Sequence, residues 1–169
     1  MPPGWLVRRG VERAAEVVTM SEAETTPESS PRVLVVANQT ACGDELLEVI
    51  AARARQGPCR FTLLVPATPS HEHATWTEGE ARSLARGRME EAMVRFRDAG
   101  AGDVDGVVGD ANPVRAIDDL LLDEPHDEII LSTLPAGVSR WLRLDLPRRV
   151  EQRFAMPVTT VISTRQLAH

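Results

Sequence analysis

Residues 131–150, which read LSTLPAGVSRWLRLDLPRRV, place hydroxyl side chains, a glycine and several arginines directly after an apolar, strand-like run. A loop of this composition can bind an anion, because hydroxyl groups donate hydrogen bonds and one arginine can hold an oxyanion with two of them. A role in the fold alone is the alternative. The residues predicted to contact a small anionic ligand are Ser132, Thr133, Gly137, Ser139 and Arg140.

Further arginines follow in the next predicted helix, at Arg143, Arg148, Arg149 and Arg153. They could extend an anion site, but acidic neighbours favour a solvated helix face. Trp141 could stack on a base or on a partner subunit. A tryptophan that follows a helix start is more often packed in the core, and that interpretation is favoured.

The sequence offers little for catalysis. All 19 basic residues are arginine, which excludes a P-loop lysine, a Schiff-base lysine and a lysine general base. Carboxylates occur as chain neighbours, such as Asp118 and Asp119, and adjacent helical residues do not face each other. No serine lies in the G-x-S-x-G pattern of a hydrolase. We therefore expect no enzymatic activity.

Histidine and cysteine give weaker signals. His71 and His73 flank a glutamate in a predicted loop. A zinc ion would need a further ligand, such as His126 or His169, and alternating loop histidines are not a recognised ligand frame. A surface loop is favoured, and no metal is predicted. Cys42 precedes a predicted helix whose dipole would lower the pKa of its thiol, but an inert small side chain is the favoured interpretation.

Charge and composition restrict the partners. The chain has 25 acidic and 19 basic residues, which disfavours the basic surface that nucleic acids require. It contains no uncharged apolar run of about 18 residues, so no membrane span is predicted. Its two cysteines are not closely spaced and no secretory signal is recognisable, which favours the cytoplasm.

The first 31 residues read as a tail. The stretch GWLVRRGVERAAEVV fits a short amphipathic helix, and the polar, acidic SEAETTPESS fits a disordered linker. Met20 lies directly before this linker, and we hypothesise that translation starts there. An intact mass of the native protein that includes Met1 would contradict this.

From residue 32 to residue 165, apolar runs typical of buried strands alternate with helical patterns. Five such alternations predict parallel strands joined by right-handed crossovers, and therefore one doubly wound five-stranded α/β domain. The longest helix is predicted to bury Leu84, Met89, Met93 and Phe96. The predicted strands are RVLVVAN, RFTLLVP, DVDGVVGD, DEIILST and PVTTVIS, and the predicted helices are GDELLEVIAARARQG, EGEARSLARGRMEEAMVRFRDAG, NPVRAIDDLLLDE and DLPRRVEQRF.

Ligands of such sheets bind beyond the carboxyl ends of the strands, at the point where the strand order reverses. Three loops should converge there, namely ANQTACG, GDANP and STLPAGVSR. Asn38 and Asp110 lie in the first two loops, and we predict that they contact the ligand. Asn112 and Pro113 are predicted to start the following helix.

The segments GDANPVRAI, DEIILSTLPAGVSRWL and MPVTTVIS make residues 32–163 similar to a universal stress protein domain. They resemble, in order, that family's GDP-x-x-x-I turn, its strand and glycine-rich loop, and its closing CPVLVV strand. The resemblance implies a flavodoxin-like or adenine nucleotide alpha hydrolase-like sheet. It also implies a homodimer, often formed through the last strand, and in one branch ATP bound at the switch point.

The chain departs from the ATP motif of that branch, which is Gly-x-x-Gly, nine residues, and Gly-Ser or Gly-Thr. Gly137 is retained and Leu134 stands at the first glycine, whereas Leu144 and Asp145, aligned here with the closing pair, follow Gly137 after six residues rather than nine. A side chain at position 134 obstructs the close approach of phosphate to backbone. We expect the carboxylate of Asp145 to cap the last helix and to repel a triphosphate.

The acidic residue that the family carries after its first strand falls on Ala37 or Asn38. The sequence and this resemblance together predict a non-catalytic, stress-linked regulatory domain that binds a small anion. A nucleotide other than ATP is the candidate ligand, and Asn38 and Asp110 would hold its sugar or base side. Two alternatives stay open. One is a ligand-free interaction module that dimerises through its sheet edge and last helix. The other is a nucleotide hydrolase or phosphotransferase, for which no carboxylate pair stands out.

Overall fold

The computed structural model describes residues 30–69 and 77–163. The predicted tail helix, nearly all of the linker, Met20, His71, His73 and His169 lie outside the described residues. Within them, no helix is long and apolar enough to cross a membrane. The elements in chain order are β1 Arg32–Val36, α1 Asp44–Arg55, β2 Arg60–Pro66, α2 Glu78–Asp98, β3 Val104–Gly109, α3 Pro113–Asp123, β4 Glu128–Thr133, α4 Arg140–Arg143, α5 Leu146–Arg153 and β5 Val158–Ile162.

The five strands form one parallel sheet in the order β3-β2-β1-β4-β5. In β1, Val33 is aligned with Phe61 of β2 on one side and with Glu128 of β4 on the other. The chain winds outward from β1 to β3 and then returns to the far side of β1 at β4. The predicted doubly wound class is confirmed, and the switch point lies between β1 and β4.

Helices cover both faces of the sheet, since successive strand residues point to opposite sides. Val33 and Val35 of β1 pack with Leu46 and Ile50 of α1, together with α2. Leu34 and Val36 pack on the other face with residues of α3, α4 and α5. Burial on both faces explains why the strands read as continuous apolar runs.

The longest helix, α2, begins with a capping box in which Thr77 and Glu80 bind each other's backbone amides. Met89 and Phe96 are buried as predicted, whereas Leu84 and Met93 are only partly buried. Alanines fill the remaining core positions of the helix. Small residues let α2 lie close to the sheet, and the apolar pattern of larger side chains did not show this.

The helix α3 starts as the sequence predicts. Asn112 is its N-cap, and the side-chain oxygen accepts hydrogen bonds from the amides of Val114 at 3.0 Å and Arg115 at 3.4 Å. Pro113 occupies the first turn, where a missing amide hydrogen has no cost. This fixes the loop after β3 near the carboxyl end of the sheet.

Candidate functional site

A cavity of about 60 Å³ lies at the switch point. The loop after β1, the residues after β2 and the segment from the end of β4 to α4 enclose it, as expected for a doubly wound sheet. Its lining residues are Asn38, Gln39, Thr40, Thr68, Pro69, Ser132, Thr133, Leu134, Val138, Ser139, Arg140 and Trp141.

The structure brings five of the seven predicted ligand contacts into this cavity. They are Asn38, Ser132, Thr133, Ser139 and Arg140. Gly137 and Asp110 are not among its lining residues. The Asp110 carboxylate accepts a hydrogen bond from the amide of Asn112 at 2.8 Å, which closes the turn before α3. Its contact with a sugar stays a prediction.

Asn38 is buried, and both the nitrogen and the oxygen of its side-chain amide are hydrogen-bonded. Its Nδ2 donates to the carbonyl of Pro66 at 2.8 Å, which ties the loop after β1 to the end of β2. Its Oδ1 accepts a hydrogen bond from Arg88 of α2. A ligand that binds Asn38 must share these groups, so the side chain presents one fixed orientation to the cavity.

Four buried hydroxyl groups fix the surrounding loops. The Oγ1 of Thr40 and the Oγ of Ser132 lie 2.7 Å apart and link the loop after β1 to β4. Thr133 donates to the carbonyl of Leu134 at 3.0 Å. Ser139 accepts from the amide of Leu142 at 3.1 Å and thereby caps α4.

These bonds leave hydrogen-bond donors for a ligand. A hydroxyl group has one donor and two acceptor positions. Of the Thr40 and Ser132 hydroxyls, only one donates to the other, and Ser139 uses its oxygen only as an acceptor. Arg140 adds an exposed guanidinium that forms no ion pair within residues 30–69 and 77–163. No carboxylate appears among the described lining residues, and the site therefore suits an anion.

The loop after β4 does not offer all of its backbone amides. The carbonyl of Pro135 accepts hydrogen bonds from the amides of Val138 at 3.2 Å and Ser139 at 3.0 Å. Gly137 makes this turn possible, since its φ of 98° lies in a region that other residues rarely adopt. Glycine at position 137 thus serves the turn, and two amides point inward rather than toward a phosphate.

The prediction that the carboxylate of Asp145 caps the last helix is wrong. Asp145 does precede α5, but its side chain makes no capping hydrogen bond, and the residue does not line this cavity. Its backbone is left-handed, with φ 56° and ψ 40°. An N-cap normally has extended backbone that places the side chain over the first amides. Repulsion of a phosphate by this exposed carboxylate has no support in the structure.

The arginines after the loop have separate roles. Arg153 forms an ion pair with Asp118 of α3 at 2.6 Å, and this hydrogen-bonded carboxylate raises the pKa of the guanidinium. The favoured interpretation as a surface residue therefore holds for Arg153. Arg148 and Arg149 are both exposed. Arg149 also lines a second cavity, which adjoins the switch-point cavity. Trp141 is only 8% exposed and packs in the core against the second face of the sheet.

Neither Cys42 nor His126 shows the properties of a reactive group or a metal ligand. Burial raises the pKa of the Cys42 thiol to about 11, with a further contribution from Glu91, which agrees with the favoured interpretation of an inert side chain and not with a lowered pKa. His126 is buried between the hydroxyl of Thr62 and the carbonyl of Glu124. The residues that the structure describes contain no cluster of three or more side chains suited to a metal ion.

Sequence reasoning missed several lining residues, among them Thr40, Thr68 and Val138. Thr40 lies in the loop ANQTACG, which was expected at the site, so its hydroxyl was a readable signal. Thr68 donates to the carbonyl of Ala111 at 2.8 Å and joins the loops after β2 and β3. Nothing in the local sequence around Thr68 indicates this contact.

Comparison with known proteins gives a fold. No family model and no curated protein sequence matches the chain. A universal stress protein in complex with cAMP has a TM-score of 0.55 and 19% identity, covering 79% of this chain and 98% of that one. A universal stress protein from Archaeoglobus fulgidus has a TM-score of 0.56 and 14% identity, covering 79% and 96%. One from Archaeoglobus fulgidus in complex with dAMP has a TM-score of 0.53 and 17% identity, covering 78% and 97%.

The described residues thus form an all-parallel, doubly wound α/β domain with a polar cavity at its switch point. This fold is that of the universal stress proteins, as the three sequence motifs predict.

Proposed function

We propose that this chain is a divergent universal stress protein domain that acts as a non-catalytic regulator by binding a nucleotide with a single phosphate. The phosphate enters the switch-point cavity, where Ser139, Arg140 and the Thr40–Ser132 hydroxyl pair donate to it. The observation that carries this proposal is the convergence of these donors without a described carboxylate. The similar structures that hold cAMP and dAMP, each with one phosphate, support it.

The size of the cavity favours one phosphate over three. Its volume of about 60 Å³ is well below the ~300 Å³ at which ordinary small-molecule pockets begin. Sugar and base therefore lie largely outside it. We propose that the ATP mode is lost, because Leu134 lines the cavity and the amides of Val138 and Ser139 are bound to Pro135.

Thermal unfolding with AMP, cAMP, ATP and inorganic phosphate tests this proposal, with and without magnesium. A ligand at a hundredfold excess over its Kd stabilises the fold by about 2.7 kcal/mol, which raises the Tm by several degrees. We expect this shift for AMP or cAMP and a smaller one for ATP. Arg140→Ala should abolish it, and Arg148→Ala, an exposed arginine outside both cavities, should retain it.

A shift that survives Arg140→Ala would show that the phosphate binds elsewhere. A larger shift for ATP than for AMP would contradict the loss of the ATP mode. Phosphate release from ATP that depends on magnesium would support the hydrolase alternative instead.

A second candidate function is a ligand-free interaction module, and the outer edge of β5 favours it. Within the described residues, no hydrogen bond occupies the outward backbone groups of Thr160 and Ile162. We propose that the chain forms a homodimer through this strand with or without a ligand.

We also propose a cytoplasmic location, since both cysteines are free thiols, as in a reducing compartment.

A further inference from the structure

A second cavity, of about 270 Å³, adjoins the switch-point cavity. The two share Thr68, Pro69, Arg140 and Trp141 as lining residues. The second cavity extends from there between the start of α3 and the segment that joins α4 to α5. A ligand held at Arg140 can therefore reach both spaces.

The walls of this second cavity are mainly apolar. Side chains of Pro113, Val114, Trp141, Leu144 and Leu146 line it. Leu144 is 52% exposed, although leucine is normally buried. Leu144 thus supplies an exposed apolar surface to this cavity.

Two arginines interrupt this apolar lining, Arg140 and Arg149. In the described part of the chain neither forms an ion pair, whereas Arg153 on the same helix as Arg149 binds Asp118. No aspartate or glutamate is found among the described residues of the lining. The cavity thus combines apolar walls with two cations that have no internal counterion.

We propose that the second cavity binds the apolar part of an amphiphilic anion, whose single carboxylate or phosphate lies between Arg140 and Arg149. The body of the ligand is an alkyl or acyl group that packs against Trp141, Leu144 and Leu146. This inference deepens the proposed function and rests on it in one respect, the binding of an anion at Arg140. In the ligand proposed here, an apolar alkyl or acyl group is attached to the anionic group in place of further phosphates.

The test is calorimetric titration of the full chain with butanoate, hexanoate and octanoate. Each methylene that leaves water strengthens binding about fourfold until the cavity is filled. Octan-1-ol, which lacks the charge, should bind at least about tenfold more weakly than octanoate. Affinities that do not depend on chain length would overturn the inference.

Matched variants locate the binding. Arg149→Gln should weaken octanoate at least about fivefold, since it removes a charged hydrogen-bond donor, whereas Arg148→Gln should leave the affinity unchanged. Leu144→Glu, at a half-exposed position that tolerates a polar side chain, should weaken octanoate further. Chain-length dependence that survives both Arg149→Gln and Leu144→Glu would place the ligand elsewhere and overturn the inference.

Competition with AMP separates the two proposals. Because Arg140 lines both cavities, octanoate should displace AMP. If AMP binds and the alkyl series shows no trend, only the present inference fails. If the alkyl series behaves as expected and neither AMP, cAMP nor phosphate binds, the nucleotide proposal fails and the amphiphile site stands.

Discussion

The two outer edges of the sheet are built differently. At the β3 edge, the amides of Phe61 and Ala67 in the neighbouring chain segment donate to the carbonyls of Asp103 and Gly109. Backbone groups alternate in direction along a strand, so those of Val104 and Val108 face outward. Two arginines of α2 bind these outward carbonyls, Arg97 that of Val104 at 3.2 Å and Arg82 that of Val108 at 3.4 Å.

Among the residues that the structure describes, none protects the β5 edge in this way. Ile129 donates to the carbonyl of Pro157, and Ser163 donates to that of Thr133, so odd-numbered residues of this strand face β4. Thr160 and Ile162 face outward, and no donor in residues 30–69 and 77–163 binds their carbonyls. Ile162 is also 46% exposed.

Unpaired strand edges invite pairing with another chain, and proteins commonly cover them with charged side chains. Here one helix covers the β3 edge with two arginines, while none of the described residues binds the outward backbone groups of β5. The contrast supports the proposed homodimer through the last strand and argues against association at β3.

The largest effect is expected at the open edge. Ile162→Lys places a cation on each copy where the two β5 strands would meet, and like charges brought together cost several kcal/mol. The dimer Kd should rise on the order of a hundredfold. Sedimentation velocity measures this, and Val94→Lys, which changes another exposed apolar residue, on α2, should have no effect.

A chain that is monomeric before substitution would refute the dimer. Equal loss of dimer in both lysine variants would show that the added charge weakens association wherever it is placed. The dimer would then not be assigned to the β5 edge.

The next largest effect concerns the close packing of the end of β3 against α3 and β2. A Cβ added at Gly109 would lie 2.8 Å from the Cβ of Ala116 and 2.8 Å from Cδ1 of Leu64, and the first of these cannot move without its helix. Gly109→Ala should therefore lower the free energy of unfolding by about 2 kcal/mol, as overpacking does. Urea denaturation measures it.

Gly87 provides the control for this substitution. It lies within α2, and an added Cβ would meet nothing within 4 Å. Gly87→Ala should raise the stability by about 1 kcal/mol through helix propensity. If both alanine variants changed stability in the same direction, the close packing at β3 would not be the cause.

Sequence reasoning succeeded where a pattern depends on neighbours along the chain. The apolar runs predicted all five strands, and Asn112 with Pro113 predicted the start of α3. The helix α4 has four residues, too few for any periodicity, and was missed. The bonds of Arg82 and Arg97 to β3 depend on where α2 packs, and the amide bonds to Pro135 depend on loop dihedral angles. Neither is encoded in residue spacing.

A smaller effect is expected when the β3 edge is opened. The double variant Arg82→Gln with Arg97→Gln shortens both side chains and frees the carbonyls of Val104 and Val108. We expect a stability loss of about 1 kcal/mol and slow association beyond the dimer, because a second edge becomes available. Static light scattering over time detects it. Arg86→Gln, at an exposed position of the same helix, should do neither.

If the double variant remained a dimer at high concentration, the arginines would not be what protects β3. If Arg86→Gln associated as readily, the loss of a positively charged side chain rather than exposure of the edge would explain the result.

The smallest effect lies at the centre of the sheet, where His126 joins the loop before β4 to β2. One ring nitrogen lies 3.0 Å from Oγ1 of Thr62, and the other lies 2.9 Å from the carbonyl oxygen of Glu124. Burial lowers the pKa of His126 below its usual 6.5, although the bond to Glu124 opposes this. The unfolded chain therefore binds the proton at higher pH than the folded chain does.

The stability of the fold should therefore decrease on acidification. The contribution of His126 to stability is complete above about pH 6.5 and is lost as the pH falls from there through the lower pKa of the folded state. His126→Gln should flatten this part of the profile in urea denaturation between about pH 8 and about pH 5. Because the hydrogen bonds of His126 join β2 to the loop before β4 and involve no residue of β5, acidification should weaken the fold and leave the dimer Kd of the remaining folded chain unchanged. An acid-induced change in dimer Kd that His126→Gln removes would mean that the centre of the sheet and its open edge are coupled.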